Sequence, residues 1–215
     1  MLGLFDSGSG GLNTVRYIKE NLPDIDLVYK IDRENAPYGI KSTEEIIRIA
    51  EENIDDLKNR GAERILIACC TASTVYEMLA KEYKHVSIPI INPIAAATLQ
   101  KTRNGCIGVL ATEHTVRSHA FKNALPSCTV TEIAAQKLVG MIDGGLTDNN
   151  VTLEAQGYVK ELIYRFYDKG IDTLILGCTH FPAIKATVAK ACSEIGIRHV
   201  IDSAREGALA ITTRF

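Results

Sequence analysis

Eight short runs of the chain are almost continuously apolar: "LGLFD" (2–6), "DLVYKI" (26–31), "RILIAC" (64–69), "SIPIIN" (87–92), "CIGVLA" (106–111), "CTVTEIA" (128–134), "DTLILGC" (172–178) and "RHVID" (198–202). Their lack of strict alternation predicts strands covered on both faces. Longer segments of helical period lie between them. In "STEEIIRIAEENIDDLKNRG" (42–61), Ser42 stands three residues before Glu45, a capping-box spacing. Ile46, Ile49, Ile54 and Leu57 then form one apolar stripe, and Gly61 supplies the stop. "GYVKELIYRFYDKG" (157–170) reads as a second helix ending at a glycine. Strand and helix in alternation predict βαβ units, parallel sheets and right-handed crossovers, an α/β fold.

The pattern also repeats. "RILIACCTAS" (64–73) parallels "TLILGCTHFP" (173–182), each an apolar run, a cysteine, then a threonine and a helix start. Cys69 and Cys178 are 109 residues apart, and "GLFDSG" (3–8) faces "GVLATE" (108–113) at an offset of 105. Two matches at similar offsets predict two pseudo-symmetric α/β domains, each a mainly parallel sheet flanked by helices. The first half is residues 1–93, joined by the C-terminal segment 203–215, and the second is 94–202. No Pro-, Gly- or Ser-rich linker divides them.

Composition narrows the function. The 215 residues suffice for one large domain or two small ones, with 46% hydrophobic and 23% charged residues, ordinary for a globular protein. A net charge of −2 gives no electrostatic case for nucleic acid or for an anionic membrane. No apolar run approaches the roughly 18 residues of a membrane helix. "MLGLF" meets Asp6 after five residues without a basic leader, so no signal peptide is expected. Six cysteines without CxxC spacing predict reduced thiols in a cytoplasm rather than a disulfide framework. His85, His114, His119 and His199 show no metal-ligand spacing.

Ligands of open parallel sheets bind beyond the carboxyl ends of the strands. With two such halves face to face, Cys69 and Cys178 project from opposite sides into one cleft. A thiolate on one face can remove a carbon-bound proton while a thiol on the other delivers one. The thiolate must form from a group of ordinary pKa about 8.5, aided by a following helix start or an ionisable neighbour. His180 is such a neighbour for Cys178, and Asp6 for Cys69. The alternative is that both cysteines are packing residues. "FDSGSGGLNTV" (5–15) is a glycine-rich turn into a helix without a P-loop lysine. It suits a small carboxylate held by backbone N–H groups and Ser7, or else simple helix capping. "ATEHTV" (111–116) offers Thr112 and Thr115 hydroxyls under the same two readings. "DRENAPYGIKS" (32–42) is a surface loop or a cover for the cleft.

Taken in order, these motifs resemble the glutamate racemase family of the aspartate/glutamate racemase superfamily. The resemblance rests on "DSGSGG" (6–11), Asp32 followed by "PYG" (37–39), "ACCTAS" (68–73), "GCTHFP" (177–182) and "IDSA" (201–204). It implies a two-domain α/β racemase with the active site between the domains, needing neither cofactor nor metal. It implies Cys69 and Cys178 as the acid/base pair, assisted by Asp6 and His180. Ser7, Tyr38, Gly39, Cys70, Thr71, Thr112, Thr115 and Thr179 would hold the substrate. Members convert L-glutamate to D-glutamate for peptidoglycan, in the cytoplasm, commonly as homodimers. Racemisation of aspartate or another small acid, and a non-catalytic ligand-binding role, are the alternatives. Two positions depart from the family pattern: Cys70 stands where asparagine is usual, and Asp143 is the nearest acid to a usual glutamate.

Overall fold

Every one of the eight apolar runs forms a strand, and every strand pairing is parallel. The strands are β1 (Leu2–Asp6), β2 (Leu27–Ile31), β3 (Arg64–Ile67), β4 (Ser87–Pro89), β5 (Cys106–Ala111), β6 (Thr129–Ala134), β7 (Thr173–Gly177) and β8 (His199–Asp202). The helices are α1 (Gly11–Asn21), α2 (Thr43–Asn59), α3 (Cys70–Ser73), α4 (Lys81–Val86), α5 (Ile91–Lys101), α6 (Glu113–Ser118), α7 (Ala120–Ala124), α8 (Gln136–Asp143), α9 (Leu153–Tyr164), α10 (Lys185–Glu194) and α11 (Ser203–Thr212). This computed structural model describes residues 1–212, so positions 213–215 of the C-terminal segment lie outside the described residues.

The strands build two four-stranded sheets, ordered β2-β1-β3-β4 and β6-β5-β7-β8. The second order repeats the first with every strand number raised by four, which is the internal echo of the sequence in three dimensions. In each sheet the order reverses between the two central strands, and a crevice opens there at the strands' carboxyl ends. Those central strands are buried throughout or nearly so, which explains their continuous apolar runs.

Three apolar clusters fill the interior. One belongs to the first sheet and α2, and one to the second sheet with α8, α9 and α10. The third joins Leu4 and Leu66 of the first sheet to Val109 and Ile175 of the second. Helix α11 packs against α1 and α5, and also touches β7 and β8 of the second sheet.

Helix α2 is capped as its sequence predicts. Glu45 N donates to Ser42 Oγ at 3.2 Å, and Ser42 N donates to Glu45 Oε2 at 2.8 Å. Gly61 takes φ +91°, the left-handed stop. Burying Ile46, Ile49, Ile54 and Leu57 contributes at most about 2 kcal/mol each.

Two boundaries differ from the sequence pattern. The helix expected over 157–170 runs from Leu153 to Tyr164, because Thr152 accepts a hydrogen bond from Ala155 N and caps it earlier. In "SIPIIN" only Ser87–Pro89 pair as a strand, and α5 takes over from Ile91 with Pro93 in its first turn.

Candidate active site

Each cysteine lies just beyond a central strand. Cys69 is two residues past the end of β3 and leads into α3, whereas Cys178 directly follows β7. Both are almost fully buried, and both line one cavity between the sheets. Its other walls include Ser7, Gly8, Tyr38, Gly39, Cys70, Thr71, Thr112, Gln136, Val139, Asp143, Thr179 and His180. The cavity measures about 30 Å³, room for a water or two. A larger cavity of about 420 Å³, lined by Ser73, Tyr76, Asn92, His114 and others, holds neither Cys69 nor Cys178.

The turn after β1 supplies the surroundings of Cys69. Ser7 Oγ stands 3.4 Å from Cys69 Sγ and donates to Asp6 Oδ1 at 3.3 Å. Asp6 is wholly buried behind Ser7, and its Oδ2 has no hydrogen-bond partner among the described residues. Burial pushes the Asp6 carboxyl above its ordinary pKa, against the opposing pull of the His180 charge, of the nearby Thr179 hydroxyl and of hydrogen bonds from Gly8 and Ser7 to Oδ1. Burial first, then the Asp6 charge, pushes the Cys69 thiol up to about 11, while Ser7 and the Ala72 backbone N–H oppose the rise.

Cys178 has a different neighbour. Its Sγ lies 3.6 Å from His180 Nδ1. The other ring nitrogen of His180 is 2.9 Å from Asp143 Oδ1, although the ring does not point its N–H along that line. Burial drives the Cys178 thiol upward, opposed by the His180 backbone N–H and reinforced by Cys69, Asp6 and Asp143.

Glycines make the two sides meet. A Cβ on Gly8 would stand 2.9 Å from His180 Nε2, and one on Gly10 would stand 2.6 Å from the Thr179 carbonyl carbon. A Cβ on Gly11 would stand 2.6 Å from that of Asp6. The run "DSGSGG" is thus a close-packing turn as much as a binding loop.

Tyr38, only 1% exposed, is fixed by a buried network. Its hydroxyl donates to Asp32 Oδ2 at 2.6 Å, and Asn53 Nδ2 donates to that hydroxyl at 3.1 Å and to Asp32 Oδ2 at 3.0 Å. Burial alone would raise the Asp32 carboxyl, but its bonds to Tyr38, Asn53 and Asn35 outweigh that and hold it below the ordinary range. Tyr38 and Gly39 of the loop 32–42 are thereby held in the cavity wall, while Arg33, Glu34 and Ile40 face solvent.

Among the residues singled out from the sequence, Asp6 and Thr115 stand behind the cavity wall and the others line it. Thr115 supports that wall: its hydroxyl lies 2.9 Å from that of Thr112 and 3.3 Å from that of Thr71. Thr112 and Thr71 are themselves 2.9 Å apart, one from each side of the cleft. Cys70 lines the cavity but also joins the apolar cluster of Leu66 and Ile90, as a small hydrophobe. Sequence reading missed Gln136 and Val139. The run 128–134 was read as a strand, so the rule that strand ends carry ligand groups would have pointed just past it, to Gln136.

The profile of the Asp/Glu/hydantoin racemase family matches residues 13–211. The chain belongs to this family. As a racemase it is an isomerase, and its relatives are similar over most of their length. It is 39% identical to the glutamate racemase of Mycobacterium leprae, over 90% of this chain and 71% of that one. A glutamate racemase isoform from Bacillus anthracis superposes on the racemase fold described above with a TM-score of 0.90 at 30% identity, covering 100% of this chain and 80% of that one. The Francisella tularensis glutamate racemase, solved in complex with D-glutamate, gives 0.88 at 29% identity, over 99% and 80% of the two chains. Among the described residues no helix is long and apolar enough to cross a membrane.

Proposed function

We propose that this racemase interconverts L- and D-glutamate by two-base proton transfer between Cys69 and Cys178. The observation that carries the reading is that two thiols, one from each sheet, line a single cavity. Glutamate is favoured by the relatives, which are named glutamate racemases, one of them with D-glutamate bound.

In one direction the thiolate of one cysteine takes the α-hydrogen as a proton, and the C–H electron pair stays on the α-carbon, delocalised into the carboxylate. The thiol of the other cysteine then gives its proton to the opposite face, and the two sulfurs end with their roles exchanged. Asp6, through Ser7, and His180 serve as the proton partners of Cys69 and Cys178. Burial favours the protonated form of both thiols. The substrate's ammonium, brought between them, favours the thiolate that the reaction needs.

In this reading each half, residues 1–93 with the C-terminal segment and residues 94–202, contributes one base, and the halves part to admit substrate. We place the enzyme in the cytoplasm as a homodimer that supplies D-glutamate for peptidoglycan. The test is α-proton exchange in heavy water, followed by NMR with chiral analysis of the product, for both enantiomers of glutamate and of aspartate under reducing conditions. Exchange with inversion on glutamate supports the assignment. Exchange on aspartate alone moves the substrate, and no exchange with any of the four overturns the reading.

A further inference from the structure

The cavity has an ionisable side and a neutral side. Asp6, His180 and Asp143 gather on one, and the hydroxyls of Thr71, Thr112 and Thr115 on the other. Among the described residues no lysine or arginine lines it, and the groups there that can meet an acidic substrate's second carboxylate are neutral donors. Most side-chain donors there are already engaged. The three threonine hydroxyls bond one another, Ser7 donates to Asp6, and Tyr38 donates to Asp32.

Gln136 is different. Its side-chain amide reaches the neutral side, where Oε1 accepts from Glu113 N at 3.4 Å and packs against the α-carbon of Gly39 beside Thr112. Its Nε2 has no hydrogen-bond partner among the described residues, so both N–H donors of this cavity-lining side chain are uncommitted. Gln136, Val139 and Asp143 share one face of α8 at i, i+3 and i+7. Seven residues of helix place Gln136 about 10 Å along the axis from Asp143, which touches His180 at the Cys178 end. The α-carboxylate and ammonium of an amino acid both sit one bond from the reacting carbon. A donor so far from the Cys178 end therefore meets the side chain of the substrate.

We propose that Gln136 is a specificity-determining residue whose Nε2 donates to the side-chain carboxylate of the substrate, and so selects an acidic amino acid by reach. This rests on the racemase reading of the cavity given above. A charge-assisted bond of this kind acts on substrate and transition state alike, so its loss raises KM and leaves kcat almost unchanged.

The experiment is steady-state racemisation of L-glutamate and L-aspartate by the wild type, Gln136→Leu and Gln136→Glu, with thermal melts as a check on folding. Gln136→Leu, close in volume but without donors, is expected to lower kcat/KM for glutamate about 30-fold, or roughly 2 kcal/mol, almost wholly through KM. Gln136→Glu sets like charges against each other and is expected to lose more than 100-fold. If either variant melts early, Gln136→Asn replaces it, keeping the amide but withdrawing it by one methylene, and is expected to lower the glutamate-to-aspartate ratio. An unchanged KM in a folded variant overturns the inference, as does a loss confined to kcat. A wild type that neither turns over nor binds glutamate or aspartate by calorimetry fails at the function itself and takes this inference with it. A fully active wild type with indifferent variants removes this inference alone.

Discussion

The two half-sites are built on the same strand order yet give their thiols different neighbours. Cys69 meets a group of the neighbouring strand's end, the Ser7 and Asp6 turn that follows β1. Cys178 meets one two residues along its own chain, His180. At the position matching His180 the first half carries Thr71, and at the positions matching Asp6 and Ser7 the second half carries Ala111 and Thr112. The pseudo-twofold thus sets Thr71 and Thr112, 2.9 Å apart, where His180 and Ser7 stand on the other side. Asp6, whose carboxyl feels the His180 charge, has only the methyl of Ala111 as its counterpart. A symmetric fold carries an asymmetric site: ionisable groups gather on one side of the cleft, and neutral hydroxyls on the other.

The sharpest way to break this comparison is to remove one thiol at a time. With Cys69→Ala or Cys178→Ala, one face of the α-carbon loses its acid/base group, and racemisation is expected to fall at least 1,000-fold. Each variant keeps one base, so each still exchanges the α-proton of one enantiomer with heavy water, without inversion, and the two variants exchange opposite enantiomers. NMR on separate L- and D-glutamate samples reads this. Exchange of the same enantiomer by both variants would end the two-face assignment.

Next in size are the helpers. Asp6→Asn and His180→Ala are each expected to lower kcat about 100-fold, and unequally between the L-to-D and D-to-L directions. Their pH profiles differ, because Asp6 bears on the Cys69 limb and His180 does not. Burial and the Asp6 charge both raise the Cys69 pKa, so thiolate is scarce at neutral pH and kcat/KM rises on the alkaline side. Removing the Asp6 charge lowers that pKa and moves the rising limb toward lower pH, even as the plateau falls. His180→Ala leaves the Cys69 limb in place. Equal effects of both variants on both limbs would mean that the helpers act as one group.

Much of this was legible in the chain. The eight strands followed from their apolar runs, because burial on both faces leaves little room for polar residues. The paired thiols followed from a repeat at half the chain length. The polar neighbourhood was harder to read, since a contact such as Asp143 with His180 joins residues 37 apart in sequence, and α8 brings them together only once the second sheet has formed. Gln136 stood outside the motifs and lay hidden for the same reason. Thr115 carried the right chemistry one layer too deep, because its hydroxyl was read for the cavity and is committed to Thr112 and Thr71. The helix at 153–164 was misplaced at its start, where Gly157 resembled a boundary and Thr152 supplied the real one.

The smallest expected effect tests the neutral pair. Thr71→Val and Thr112→Val keep shape and remove the cross-cleft hydroxyls. Thr112 also caps α6 by accepting from Thr115 N at 3.3 Å, so its single substitution costs about 1 kcal/mol for the cap alone. A double-mutant cycle on unfolding free energy cancels that cost, and it is expected to return a coupling of about 1 kcal/mol for the pair itself. If both hydroxyls bind substrate and neither carries a proton, the variants raise KM and leave the pH dependence of kcat where it was. A shifted kcat profile would instead put Thr71 and Thr112 on the proton path, and the division of the cleft into a charged side and a neutral side would have to be abandoned.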